Sequence, residues 1–239
     1  MALAFRSPDA SVHPRDRDSN FAYDDQLQNA PLQACLARLH SCSLRQKFAK
    51  NTTIFAEGDS ADRIYKVADG VVRICKHTAD GRRHIVDFAL PGELFGIVED
   101  DRHELTAEAV NDVVLVSYPR NRIDQLGAAD PNIGRHLLTH LYRNLLTMQR
   151  HLLVLGCQDA KERLASFLLR LAERTGATRC GTLDLAMGRQ DIADHLGLTI
   201  ETICRTIRDL KNAGIVTTPA IHQLILADVR ALRALAIAN

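Results

Sequence analysis

Long apolar runs are missing from this sequence of 239 residues. No stretch approaches the ~18 consecutive apolar residues of a membrane-spanning helix, and residues 1–11 lack the apolar core of a signal peptide. We therefore expect a cytoplasmic protein without membrane contact. Apolar residues still make up 46% of the chain and charged residues 25%, a globular composition that excludes a mostly disordered protein.

Closely spaced cysteine pairs are also missing. The six cysteines are spread along the chain without a CxxC motif: Cys35, Cys42, Cys75, Cys157, Cys180 and Cys204. This distribution does not predict a zinc site or a disulfide framework. We expect reduced thiols, several of them in the core, with no metal site and no cofactor.

An excess of one charge is missing as well. The chain has 30 basic and 29 acidic residues, a balance that argues neither for nor against nucleic acid. Of the basic residues, 24 are arginine, whose planar guanidinium suits phosphate and base edges. Genomic base composition is the more ordinary explanation, so composition alone leaves DNA binding open.

The spacing of apolar residues changes twice in the first half of the chain. Residues 1–30 contain few aliphatic side chains and predict a disordered or loosely docked arm. Helical spacing of apolar residues then predicts a helix from Leu32 to about Phe48. From about 48 to 118, short β-rich segments separated by turn residues predict a small antiparallel barrel or jelly roll. We assign residues 31–127 to this sensor-type unit.

A long helix that ends at Gly156 is predicted next. It lies within a segment that we assign to residues 128–157. Its apolar residues alternate at spacings of three and four, as in a heptad seam: Leu138, Leu141, Leu145, Met148, Leu152 and Leu155. Packing on the chain's own barrel would explain such a stripe. The polar residues beside it make the stripe narrow, which favours a dimer interface.

The remaining residues, 158–239, predict a second unit. A helix over 160–174 places four side chains inward: Leu164, Phe167, Leu168 and Leu171. Two shorter helices are predicted at about 188–195 and 199–213. A two-stranded hairpin over 215–226 is predicted to turn near Pro219-Ala220.

The two shorter helices carry the strongest functional pattern. Ala193 is small where two helices must approach, Gly197 suits a left-handed turn, and Thr199 can cap the second helix. The side chains expected on the buried side are Ile192, Leu196, Leu198, Ile203 and Ile207. This arrangement predicts a helix-turn-helix.

The second of these helices exposes a face suited to base readout. The predicted DNA-binding residues are Ile200, Glu201, Cys204, Arg205 and Arg208, together with Thr199 and Arg189. Arg205 can donate two hydrogen bonds to guanine, and Glu201 can accept one from a cytosine amino group. Alone, the two would indicate a surface ion pair one helical turn apart. Their place in a helix-turn-helix followed by a hairpin favours DNA readout.

Residues 32–239 resemble the Crp/Fnr family of bacterial transcription regulators. The motifs that carry the resemblance are EGD at 57–59, YKVADGVVR at 65–73, DGRR at 80–83 and LPGELFG at 90–96. The segment Glu201–Arg205 is similar to the E-xx-S-R readout of the FNR and FixK branch, with Cys204 in the serine position. The resemblance implies an α+β fold with a cyclic-nucleotide-binding-type β-barrel, a long dimerisation helix and a winged helix-turn-helix. It also implies a homodimer on palindromic double-stranded DNA.

The sensor unit departs from its cyclic-nucleotide-binding relatives. In those relatives a Glu holds the ribose and an Arg-Ser pair holds the phosphate. Here Glu93 is in place, but Leu105-Thr106 stands where the pair is expected, and Arg102 is out of register. A buried phosphate without a cation is strongly disfavoured, so we interpret Glu93 as a structural residue.

The iron–sulfur cluster of FNR also lacks its ligands here. A four-cysteine cluster needs four thiolates, whereas only Cys35 and Cys42 lie in the N-terminal region and Val116 stands at the barrel-end cysteine position. Two alternatives stay open. One is a cyclic-nucleotide- or haem-responsive sensor of the same family, with haem ligands drawn from His40, His77, His84 and His103. The other is a cupin-like β-barrel enzyme, although only His84 lies within a predicted strand and that chemistry needs clustered ligands.

The sequence therefore predicts a FixK-type transcription regulator without enzymatic activity. The resemblance implies an activator that works with RNA polymerase on a TTG-N8-CAA-like palindrome, in nitrogen fixation or microaerobic metabolism. Cys204 lies near a helix N-terminus beside Arg205, an environment that makes thiols reactive. We predict that its oxidation weakens DNA binding; the alternative is a passive substitute for serine.

Overall fold

The computed structural model describes residues 38–177 and 181–237. Its first half contains two four-stranded antiparallel sheets. The first sheet has the order β1 (Leu44–Phe48), β8 (Val113–Pro119), β3 (Arg63–Asp69) and β6 (Leu94–Phe95). The second has the order β2 (Thr53–Phe55), β7 (Thr106–Ala109), β4 (Val72–His77) and β5 (Arg83–Ala89). Buried side chains from both sheets form one core between them, among them Val67, Val72, Ala107 and Leu115. The arrangement is therefore a jelly-roll-like pair of sheets rather than a closed barrel.

The predicted helix over 32–48 is wrong in its C-terminal part. A short 3₁₀ turn occupies His40–Cys42, and Leu44–Phe48 is strand β1, which pairs with β8 from Leu44 opposite Ser117 to Phe48 opposite Val113. The pairing partner lies about 70 residues away in sequence, so local periodicity carries no sign of it. Residues 32–37 and the predicted arm over 1–30 lie outside the described residues.

Two helices follow the sheets. Helix α1 spans Arg120–Ala129 and helix α2 spans Pro131–Cys157, with Pro131 in its first turn and Asp130 as its cap. The helix ends one residue beyond Gly156. Ile133 is buried near its start, and Leu137 packs against the outer face of the first sheet with Tyr118 and Ile123. Among the described residues, no helix has the length and apolar character needed to cross a membrane.

The last part of the chain is a helix-turn-helix with a small sheet. Its elements are α3 (Ala160–Thr175), β9 (Thr182–Asp184), α4 (Arg189–Leu196), α5 (Ile200–Asn212), β10 (Val216–Ala220), β11 (Gln223–Leu226) and α6 (Val229–Ile237). The four predicted inward residues of α3 are all buried. These elements confirm the predicted winged helix-turn-helix.

The prediction of a two-stranded hairpin omits a third strand, and the turn lies further along the chain than predicted. The sheet has the order β10-β11-β9, and the turn falls between Ala220 and Gln223. Pro219 lies inside β10, an edge strand whose pairing is irregular between Thr217 and Ala220. Edge strands and irregular positions tolerate proline because no ladder N–H is required there.

Candidate DNA interface

The turn between α4 and α5 has the geometry that the sequence predicts. Gly197 has φ 62°, and the N–H of Leu198 donates to the carbonyl of Ala193 at 3.0 Å. Ala193 is fully buried, so a larger side chain would separate the two helices. The side chain of Thr199 accepts a hydrogen bond from the N–H of Thr202 at 3.2 Å, which satisfies one free donor of the first turn.

Helix α5 has one buried and one exposed face. Its buried residues are Ile203, Thr206, Ile207 and Leu210. On the opposite face, the five side chains that the sequence predicts to be exposed for DNA binding are all exposed: Ile200, Glu201, Cys204, Arg205 and Arg208. Within the described part of the chain, no ion pair joins Glu201 to Arg205. The simple surface ion pair is therefore not formed, and this face, which we call the readout face, is open to a ligand.

Arg189 occupies a different position from the other predicted DNA-binding residues. It begins helix α4 and is half-buried. Burial lowers the pKa of its guanidinium. Arg189 therefore belongs to the first helix of the motif, whereas the readout face lies on the second.

The other side of α4 packs on the second sheet through charged side chains that sequence reasoning missed. In this junction cluster, Nε of Arg73 lies 2.7 Å from Glu108, and an Nη of Arg83 lies 2.5 Å from Asp191 and 2.8 Å from Asp194. Arg73 also lies 3.4 Å from Asp191. The arginines come from β4 and β5, and both aspartates come from α4, so the cluster joins the first helix of the motif to the second sheet. The i,i+3 spacing of the aspartates was the only available signal.

A buried histidine reinforces this contact. Nδ1 of His195 donates to the carbonyl of Ile85 at 3.0 Å, and its Nε2 accepts from Arg170 at 2.8 Å. Burial, followed by the charge of Arg170, lowers the pKa of His195 to about 3. Its ring stacks on His151 of α2, with centroids 4.3 Å apart. One neutral side chain thereby connects α4 to the sheet, to α3 and to the long helix.

Glu93 is held by the C-terminal half of the chain. Nε and Nη2 of Arg174, in the last turn of α3, lie 2.9 and 2.6 Å from the two carboxylate oxygens of Glu93. Arg174 also lies 3.1 Å from Asp87, and the N–H of Leu90 donates to Glu93 at 2.8 Å. The carboxylate that would face a ribose in cyclic-nucleotide-binding relatives is therefore engaged by a protein cation.

The residues near the expected phosphate position also have partners within the protein. Arg102 donates to the carbonyl of Gly58 at 2.6 Å, and the hydroxyl of Thr106 accepts from the N–H of Glu57 at 3.1 Å. Of the candidate haem ligands, His103 stacks on Phe55 with centroids 3.6 Å apart. Nothing in these contacts favours a cyclic nucleotide or haem.

The predicted dimer seam is exposed on α2. Leu138, Leu141, Leu145, Met148 and Leu152 are 46–68% exposed, whereas Leu155 is half-buried. These side chains therefore do not pack on the chain's own sheets, which was the alternative explanation for the stripe. Three more apolar side chains widen the stripe beyond the sequence prediction: Tyr142, Leu146 and Leu153.

Comparison with known proteins agrees with both halves of the structure. A family model described as a cyclic nucleotide-binding domain matches residues 45–130, and a Crp-like helix-turn-helix domain model matches residues 162–235.

Curated relatives and solved structures give the same result. The chain is 44% identical to the nitrogen fixation regulation protein FixK of Azorhizobium caulinodans over 191 residues, covering 79% of this chain and 77% of the relative. It is 40% identical to FixK of Rhizobium meliloti over 182 residues, covering 76% and 82%. The solved structure of FixK2 from Bradyrhizobium japonicum superposes with a TM-score of 0.78 at 33% identity, covering 82% of this chain and 98% of that one.

Proposed function

The chain belongs to the Crp/Fnr family of transcription regulators, and we propose that it activates transcription as a FixK-type homodimer on palindromic DNA. The observation that carries the proposal is the readout face of α5. Its side chains stand in the order Glu201, Cys204, Arg205 at the start of a capped helix, and neither Glu201 nor Arg205 has an ion-pair partner among the described residues. The N-terminal residues of a recognition helix are the ones that reach base edges in the major groove.

The proposed operator is of the TTG-N8-CAA type. Arg205 supplies the bidentate donors for the guanine of each half-site, and Glu201 accepts from a cytosine amino group. Ile200 and Cys204 contact base edges beside them, while Arg189, Arg208 and the helix terminus capped by Thr199 contact phosphate. The proposed target genes serve nitrogen fixation, because the FixK relatives are named for its regulation. From the wider family resemblance we also propose genes of microaerobic metabolism as targets and RNA polymerase as a partner.

The proposed dimer forms through the exposed stripe of α2. Burying these leucines against the same helix of a second chain removes them from water, and a two-fold pair of α2 helices would present two α5 helices about 34 Å apart, one turn of DNA. The isologous contact matches the symmetry of a palindrome.

The test is a binding titration of duplexes that carry the palindrome, with single-base variants at each half-site. The change Arg205→Ala should cost about 1–3 kcal/mol per lost bidentate contact and flatten the preference for guanine at one position. Arg45→Ala is the matched control, because it removes the same charge from an exposed position on β1. Unchanged affinity and base preference in Arg205→Ala would contradict the assigned readout.

A further inference from the structure

Three side chains with metal-binding chemistry meet beside the junction cluster. Cys75 and His77 lie two residues apart in β4, so both side chains project from the same face of the sheet, and Glu108 reaches them from the neighbouring strand β7. Nε2 of His77 lies 3.6 Å from Sγ of Cys75 and 3.2 Å from Oε1 of Glu108. All three ligand atoms lie within 4.8 Å of one another.

The separations of Nε2 of His77 from the thiol and from the carboxylate suit a tetrahedral ion. Ligand atoms bound about 2.0–2.3 Å from zinc in tetrahedral geometry lie about 3.3–3.8 Å from one another. Thiolate, imidazole and carboxylate are together the ligand types that zinc accepts, and a set of three protein ligands leaves the fourth position for water. The two separations that involve His77 therefore match the metal in distance, and the trio matches it in chemistry.

The charge around the trio also favours a cation. In the junction cluster, the two arginines face three carboxylates, which leaves one negative charge in excess. A dication that displaces the thiol proton of Cys75 to solvent brings the group to neutrality.

Access to the trio comes from the side of His77. Cys75 is fully buried, whereas the side chain of His77 is 49% exposed and that of Glu108 is 14% exposed. An ion arriving from solvent thus meets the imidazole first and the buried thiol last.

We propose that Cys75, His77 and Glu108 form a binding site for a divalent cation of borderline softness, Zn²⁺ or Co²⁺. Cysteine spacing along the chain gives no sign of such a site, because the carboxylate comes from a strand about 30 residues away. The ligand Glu108 also accepts a hydrogen bond from Arg73 at 2.7 Å, and Arg73 contacts Asp191. The site therefore lies one side chain away from the first helix of the helix-turn-helix.

The test uses the full chain, reduced, stripped with a chelator and titrated anaerobically with Co²⁺. We expect one equivalent of Co²⁺ to produce thiolate-to-cobalt charge-transfer absorption that an equivalent of Zn²⁺ removes. The change Cys75→Ser should abolish this absorption. Cys204→Ser is the matched control, since it removes an exposed cysteine on α5 and should leave the spectrum unchanged.

A second variant keeps the test decisive if Cys75→Ser does not fold. His77 is half-exposed, so His77→Gln should preserve the fold, as measured by circular dichroism, while weakening Co²⁺ binding by at least about tenfold. The proposal is overturned if the wild-type chain gives no charge-transfer absorption. It is equally overturned if Cys75→Ser retains the absorption, or if His77→Gln binds Co²⁺ with unchanged affinity.

Discussion

Arg174 provides the sharpest test of how the two halves of the chain are held together. Its guanidinium contacts both carboxylate oxygens of Glu93, one oxygen of Asp87 and the carbonyl of Phe88. The change Arg174→Met keeps the aliphatic stem and removes the charge. It leaves Glu93, whose side chain is 21% exposed, without its cation.

The expected loss follows from this geometry. Removing one partner of a buried ion pair costs about 3–5 kcal/mol, and the 43% exposure of Asp87 places the loss near the lower end, at about 3 kcal/mol. For a chain of this size that corresponds to a lower melting temperature by about 6–12 °C. Thermal unfolding monitored by circular dichroism measures it.

The loss should also depend on pH. Burial opposes ionisation of Asp87, but Arg174, together with the smaller effects of His195, Arg170 and the backbone of Phe88, outweighs it and holds the pKa of Asp87 below its ordinary value. Burial raises the pKa of Glu93, and Arg174 limits that rise. In the variant both carboxyl groups lose the cation, so both pKa values move up. The stability deficit should therefore be greatest near neutral pH, begin to shrink as pH falls through the raised pKa of Glu93, above its ordinary 4.5, and shrink further as Asp87 becomes protonated at lower pH.

A double-mutant cycle with Glu93→Gln separates the contact from general damage to the fold. If the pair interacts as described, the double variant should be more stable than the sum of the single losses predicts, by about 1–3 kcal/mol. Additive losses, or a deficit that does not change between neutral and acid pH, would refute the reasoning.

Three further predictions concern the dimer helix, the buried histidine and the exposed thiol. Replacing Leu145 and Leu152 with Glu should yield a monomer by sedimentation that no longer binds the full palindrome; a stable dimer would contradict the seam. Because the pKa of His195 falls to about 3, the folded state keeps it neutral while the unfolded state is protonated below about 6.5. The free energy of unfolding should then decline with falling pH between these values by up to about 1.4 kcal/mol per pH unit. His195→Gln should flatten this dependence on pH; if it does not, groups other than His195 cause the decline. Peroxide should weaken DNA binding by the wild-type chain more than by Cys204→Ser; equal losses, or none, would leave Cys204 a passive contact.

The helix-turn-helix was predictable because its signals are local. Gly197, Thr199 and the apolar spacing each act within one or two turns, and the observed helices begin and end within a residue or two of their predicted positions. Strand β1 was not predictable in this way. Its sequence, LRQKF, has only Leu44 and Phe48 as apolar residues, and its exposed surface leaves the pairing with β8 as the main reason for its conformation. That pairing is a tertiary contact which no local pattern encodes.

The same distinction between local signals and tertiary contacts applies to the candidate site. Exposure of the readout face follows from helical periodicity, and the structure agrees with it residue by residue. The junction cluster depends on which face of the second sheet meets α4. Arg73 and Arg83 appear in the sequence as ordinary strand cations, and only the docked helix gives them partners.

The packing at this junction bears on how a signal could travel through the molecule. Ile85 and Phe88 of the second sheet belong to the same buried core as Phe167 of α3 and Ile203 of the recognition helix. Helix α5 is therefore linked to the second sheet through this shared core, in addition to the chain connection through α2. Because close-packed cores deform little, a change in β4 or β5 must either be absorbed locally or move α4, and α5 follows α4 through the tight turn at Gly197. A perturbation at the outer face of the sheet thus has a direct physical route to the residues of the readout face, and this route does not require the pocket in which cyclic-nucleotide-binding relatives hold their ligand.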